Sequence, residues 1–271
     1  MRSLPQILVL CVVAVALAAC GGSSPRRDEA RESTANAPHI QVKAPSFDDA
    51  DPHVWQTRSP FQYAVHGIDI SRFQTQIDWD AARAGGVNFV YMKATEGGDL
   101  VDPAFRENWR GAARAGVARG AYHFHYHCRP AAEQARWFIK HVPKSAGALP
   151  PVLDMEWTPF SPTCTLRPPA ADVRREAVIF MDAIEAHYGQ RPLLYTSIDF
   201  YRENELWRLP RTEFWLRSVA GHPGDKYEGQ SWTFWQYTST GLVPGIAGKV
   251  DINVFAGSPG TWAQWLAARA Q

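Results

Sequence analysis

Pro151-Val152-Leu153-Asp154-Met155-Glu156-Trp157 is an apolar run broken twice by a carboxylate. A strand buried on both faces in a parallel sheet reads this way, as a near-continuous hydrophobic stretch. Asp154 and Glu156 lie two apart on such a strand, so they share a face about 6.6 Å apart along the backbone. A carboxylate is costly to bury alone, so the pair marks a strand end that opens on a shared, solvated cleft. The same pattern recurs to either side. His66-Gly67-Ile68-Asp69-Ile70-Ser71 and Val250-Asp251-Ile252-Asn253-Val254-Phe255 each set one acid in a β-branched run. Converging acids suit glycoside hydrolysis, in which one carboxyl must be protonated while another stays charged.

Around these runs, strand and helix patterns alternate. A strand at His66–Ile70 precedes a helix near Asp78–Ala84, closed by Gly85-Gly86. Strand Val87–Ala94 leads to Asp102-Pro103, an N-cap and first-turn pair for a helix over Ala104–Ala115 that Gly116 ends. Strand Ala118–Tyr126, helix Ala131–His141 and strand Pro151–Glu156 follow. Asp172 is placed to cap a helix whose Val173, Ala177, Phe180, Ile184 and Tyr188 recur at helical spacing. Strands at Leu193–Ser197, Phe214–Ser218, Ser231–Tyr237 and Lys249–Val254 precede a last helix, Trp262–Arg269. Alternation of this kind argues for an α/β fold with a parallel sheet, and eight strands argue for closure into one TIM-like barrel. Asp69, Glu96, Asp154, Glu156, Tyr195, Trp235 and Gln236 then fall near carboxyl ends of strands, with Asp251 on the last. That is the face where such barrels build active sites.

The order Gly-Ile-Asp-Ile-Ser (67–71), Tyr91-Met92-Lys93-Ala94-Thr95-Glu96-Gly97, Gly120-Ala121-Tyr122-His123-Phe124, Leu153-Asp154-Met155-Glu156, Trp235-Gln236-Tyr237 and Val250-Asp251-Ile252-Asn253 resembles glycoside hydrolase family 25, the Chalaropsis-type lysozymes. The resemblance covers roughly Val65 to Gln271. It implies an irregular (β/α) barrel whose last strands are partly antiparallel, and an N-acetylmuramidase acting on peptidoglycan without cofactor or metal. Glu156 would protonate the leaving glycosidic oxygen and Asp154 would stabilise the oxocarbenium-like transition state. Asp69 and Asp251 would support them, and Glu96, Tyr122, Tyr195, Trp235 and Gln236 would bind substrate. Where the family has a small residue after Trp-Leu, this chain has Arg217.

The N-terminus reads differently. Arg2 precedes an apolar stretch, Ile7–Ala19, too short to span a bilayer, that ends in Leu17-Ala18-Ala19-Cys20-Gly21. This resembles a bacterial lipobox, which implies a signal peptide over 1–19 and lipidation of Cys20; Gly21 after it resembles lipoproteins sent to the outer membrane, facing the periplasm. Residues 20–62 are polar and aperiodic and read as a disordered tether, with Phe47, Val54 and Trp55 as exceptions expected to dock locally; residues 63–271 are expected to form the barrel domain. With Cys11 in the removed segment and Cys20 lipidated, Cys128 and Cys164 remain as a pair expected to form a disulfide in an exported protein. His123, His125 and His127 alternate as on one strand face, so a metal-dependent hydrolase is one rival reading. A non-catalytic peptidoglycan-binding lipoprotein is the other. A net charge of +1 without a basic block argues against nucleic acid. The expectation is a monomer.

Overall fold

Between consecutive strands the chain carries either a helix, which returns it to start a parallel neighbour, or a turn too short for that. The barrel strands are β1 (His66–Ile70), β2 (Phe89–Glu96), β3 (Ala118–Phe124), β4 (Val152–Met155), β5 (Leu193–Thr196), β6 (Phe214–Arg217), β7 (Phe234–Leu242) and β8 (Val250–Phe255). The computed structural model describes residues 41–56 and 58–269. In it, β1 to β7 are parallel neighbours in chain order. Helices α1 (Trp79–Ala84), α2 (Phe105–Arg114), α3 (Ala131–His141), α4 (Ala170–Tyr188), α5 (Ile198–Glu203) and α6 (Pro223–Lys226) make the crossovers. Only the turn 243–249 joins β7 to β8, so β8 folds back antiparallel to β7 and closes the barrel antiparallel to β1. The expected irregular barrel with partly antiparallel last strands is what forms. Helix α7 (Pro259–Ala267), capped by Ser258, follows β8.

Helix starts differ in detail from the sequence reading. Asp78 caps α1 as a side chain must, accepting from Ala81 N at 3.0 Å. The helix expected behind Asp102 starts at Phe105, and Asp102 instead accepts from the amides of Ala104 and Arg72 at 2.9 and 2.8 Å. Helix α4 begins at Ala170 behind Pro169, which leaves Asp172 in its first turn, paired with Arg175.

Period-two alternation divides the buried side chains into two cores. Ile68, Val90, Met92, Leu153, Leu194 and Leu216 point outward and pack with the helices. Their neighbours Phe89, Tyr91, Val152, Leu193, Trp215 and Phe234 point inward and fill the barrel; Trp262 of α7 packs on Phe89 and Phe255 from below.

No helix crosses between β7, β8 and β1, and the segment before the barrel covers their outer face. Phe47 lies on His66, Trp55 on Trp235 at 5.2 Å, Phe61 on Tyr237 and Tyr63 on Trp235. Asp48–Asp49 pairs antiparallel with Leu242 and Gly241 of β7, and the amide of Lys43 donates to Asn88 Oδ1 at 2.8 Å. The tether boundary drawn at residue 62 is therefore corrected: from about residue 42 the chain is a strap on the barrel. Val54, expected to dock, is 73% exposed. The expected signal peptide, Cys20 and the first half of the tether lie outside the described residues.

Candidate active site

The same alternation that fills the barrel sets its polar mouth. Above the inward plug, the next inward positions are Asp69 on β1, Lys93 on β2, Tyr122 and Phe124 on β3, and Asp154 with Glu156 at the end of β4. Tyr195 on β5, Arg217 on β6 and Gln236 on β7 continue the ring. Together with Asp251 they line a cleft of about 350 Å³. Asp251 opens β8 rather than ending it. It reaches the mouth because β8 is reversed, and its register partner is Asp69. The four acids chosen from sequence therefore meet.

A hydrogen-bond chain fixes Asp69. Its Oδ2 accepts from Gln236 Nε2 at 2.9 Å and from Asn253 Nδ2 at 2.8 Å. Both amides are held in that orientation from behind: Tyr195 OH donates to Gln236 Oε1 at 2.9 Å, and Trp215 Nε1 to Asn253 Oδ1 at 2.7 Å. Phenol and indole occupy the amide oxygens, so the amide NH₂ groups face Asp69. Asp251 shares a further hydrogen bond with Asp69. Burial, then the charge of Asp69, push the Asp251 carboxyl up to about 8, so Asp251 holds the proton and donates it.

The central pair is perturbed in the same direction. Burial foremost, and then the charge of Glu156, raise Asp154 well above the usual carboxylate range. Asp154 is 7% exposed, and its buried Oδ1 has no hydrogen-bond partner. Burial also raises Glu156, against the pull of Arg217. Two acids two residues apart, one buried and one half-buried, cannot both ionise freely, so the pair keeps a proton near neutral pH. Lys93, held by Glu96, tempers both.

Two expected substrate contacts are corrected. Trp235 is completely buried, donates Nε1 to Ser218 O at 2.8 Å, and offers no face to a sugar; it stands one residue from inward Gln236 and so points outward. Glu96 does not line the cleft. The register shift after Lys93 pairs it with inward Phe124, but its carboxylate is taken up beside the cleft by Lys93 and the Tyr126 hydroxyl. The side chains of Tyr122 and Tyr195 do line it.

Sequence reading left out Lys93, Asn253, Phe73 and Phe124. Lys93 and Asn253 stood inside quoted motifs, at the same parity as Tyr91 and Asp251, and parity was the signal. Phe73, 76% exposed on the rim, carried none.

His123 and His125 have outward parity. His123 meets Thr95 Oγ1 at 2.8 Å and Gln134 Oε1 at 2.9 Å and stacks on Phe180, and burial lowers its pKa to about 4. His127 packs on Phe200 and Trp157. Among the described residues no cluster of potential ligands forms around them. Cys128 and Cys164 are joined, Cα to Cα 5.7 Å, as expected; the bond ties the β3–α3 loop to the segment after β4.

A closed β/α barrel with proton-sharing carboxylates at the C-terminal mouth of its parallel strands has the architecture and site of a glycoside hydrolase. The chain belongs to glycosyl hydrolases family 25, whose profile matches residues 68–246. It is 36% identical over 206 residues to the YegX protein of Escherichia coli (strain K12), across 74% of this chain and 73% of that one. It is 32% identical over 205 residues to Lysozyme M1 of Streptomyces globisporus, across 72% and 68%. The structure of a family 25 glycosyl hydrolase from Bacillus anthracis aligns with a TM-score of 0.67 at 31% identity, covering 80% of this chain and 98% of that chain.

Proposed function

We propose that this protein is a muramidase that hydrolyses the β-1,4 bond between N-acetylmuramic acid and N-acetylglucosamine in peptidoglycan. The observation that carries the reading is the inward pair Asp154 and Glu156, both raised by burial, beside the Asp69–Asp251 proton-sharing pair. Glu156 gives its proton to the leaving glycosidic oxygen as the C1–O bond breaks. Asp154 orients the 2-acetamido group, whose carbonyl oxygen closes on C1. Water then adds at C1 and returns a proton to Glu156. Substrate and developing positive charge draw Asp154 toward its ionised form, a state that burial disfavours in the unliganded protein. Asp69, rigidly held, binds substrate from the opposite wall.

The test is digestion of purified peptidoglycan by the protein and by Glu156→Gln, with mass spectrometry of the new reducing ends. Muramic acid ends are expected, falling about 10²–10⁴-fold in rate in the variant. Glucosamine ends would change the bond assigned. A variant that matches the parent, or binding without cleavage by either, would favour a non-catalytic peptidoglycan-binding lipoprotein.

The lipobox-like Leu17-Ala18-Ala19-Cys20 supports an exported protein anchored through Cys20, and Gly21 after it supports an outer-membrane place facing the periplasm. Fatty-acid labelling of the full chain is expected to vanish in Cys20→Ser; labelling that persists would remove the anchor from the proposal.

A further inference from the structure

Arg217 stands inside the acidic mouth and is bound to none of its acids. Inward parity on β6 sets it above Trp215, where it lines the cleft with Asp69, Glu156 and Asp251. Its backbone is pinned by the ladder to Gln236 and by Tyr227 OH, which donates to its carbonyl at 2.6 Å. Among the described residues the guanidinium makes no ion pair and no hydrogen bond. Lys93, also in the lining, differs: Glu96 holds its ammonium. The charge of Arg217 bears on Asp69, Glu156 and Asp251, yet its guanidinium closes on none of them, whereas the Lys93 ammonium is tied up by Glu96. Arg217 keeps its fork of five donors, the geometry that matches a carboxylate, turned to the cleft.

A sugar hydroxyl takes one N–H at a time, whereas a carboxylate takes two parallel charge-assisted bonds from the fork, and Arg217 is the lining cation that no acid already holds. We propose that Arg217 reads a carboxylate on the sugar at the scissile bond, the free lactyl carboxylate of glycan strands stripped of their peptides. This rests on the muramidase reading. On peptide-bearing strands the same carboxyl is an amide, uncharged and unable to accept the two charge-assisted bonds of the fork. The cleft therefore prefers stripped strands.

The experiment compares the full-length protein with Arg217→Ala and Arg217→Lys on three substrates: peptidoglycan with its stem peptides, the same glycan after amidase treatment, and the stripped glycan with its carboxylates methyl-esterified. The ratio of kcat/KM for stripped over peptide-bearing glycan is expected to fall about tenfold in Arg217→Ala, mainly through KM, with part recovered in Arg217→Lys. Esterification should cost the parent protein a similar factor and cost Arg217→Ala no more, as a coupled pair requires. That arm needs no altered protein, so misfolding cannot imitate it. An equal loss on all three substrates with a shifted pH profile would overturn the proposal and make Arg217 a group that tunes Glu156. No cleavage of any substrate by the parent protein would overturn the muramidase reading and this inference with it, and is told apart without a variant.

Discussion

At the scale of single residues, the site depends on where each proton rests. Asp251 keeps its proton in the fold until about pH 8, whereas an unfolded chain would lose it near the ordinary aspartate value of 3.8. Between those values the folded state binds more protons than the unfolded state. The stability that this proton brings is therefore present at low pH and lost as pH rises through the window. Asparagine at 251 cannot ionise and still carries a donor for Asp69. Asp251→Asn is thus expected to flatten the pH dependence, gaining at least about 1 kcal/mol over the parent near pH 8.5 and little near pH 4. Urea unfolding at both values measures it, and parallel curves would show that the proton is not shared as described. The four acids were legible in the sequence because a carboxylate inside an apolar strand is conspicuous. The duties of Gln236 and Asn253 were not, because their shared partner Asp69 lies 167 and 184 residues away.

At the scale of elements, strand parity decides what a side chain can touch. The sequence runs marked each strand and its acids, but Trp235 was placed in the cleft by proximity to Gln236, one residue away and so on the opposite face. Glu96 failed for another reason: a register shift pairs it with inward Phe124, but Lys93 and the Tyr126 hydroxyl take its carboxylate, which no pattern of residue types announces. The histidines alternate on the outward face for the same parity reason that put Asp154 inward. Parity also explains why β1 carries a glycine at an inward position. A Cβ on Gly67 would lie 2.4 Å from Phe89 O and 2.5 Å from the Phe89 ring. The carbonyl belongs to β2, paired to Gly67 in the ladder, and cannot withdraw without breaking it. Gly67→Ala is expected to cost about 3 kcal/mol or to splay β1 from β2. A chemical denaturation midpoint unchanged from the parent would mean that the plug around Phe89 is looser than its packing implies.

At the scale of the whole molecule, the reversal of β8 has a consequence for how the barrel is covered. A parallel strand brings a helix with it, and the helix covers the sheet; a hairpin strand brings none. The outward side chains His66, Trp235 and Tyr237 are nonetheless 1%, 0% and 5% exposed. The strap supplies the missing layer, with Trp55 edge-on to Trp235 and Tyr63 beside it. The polar composition of residues 20–62 hid this, because a strap needs only a few aromatic anchors between residues that stay in water. If the strap is the cover of β7, removing one anchor should loosen that strand before the rest. Trp55→Ala is expected to lower the unfolding free energy by about 2 kcal/mol. More specifically, it should speed amide exchange in β7 and β8 while β3 to β5, which lie beneath α3 and α4, keep their protection. Faster exchange spread evenly over all strands would assign Trp55 to global stability alone. Exchange unchanged in β7 would show that the strap rests on the barrel without holding it, and the outer face of β7 would then owe its burial to the cluster of Tyr63, His222 and Trp232 around Trp235.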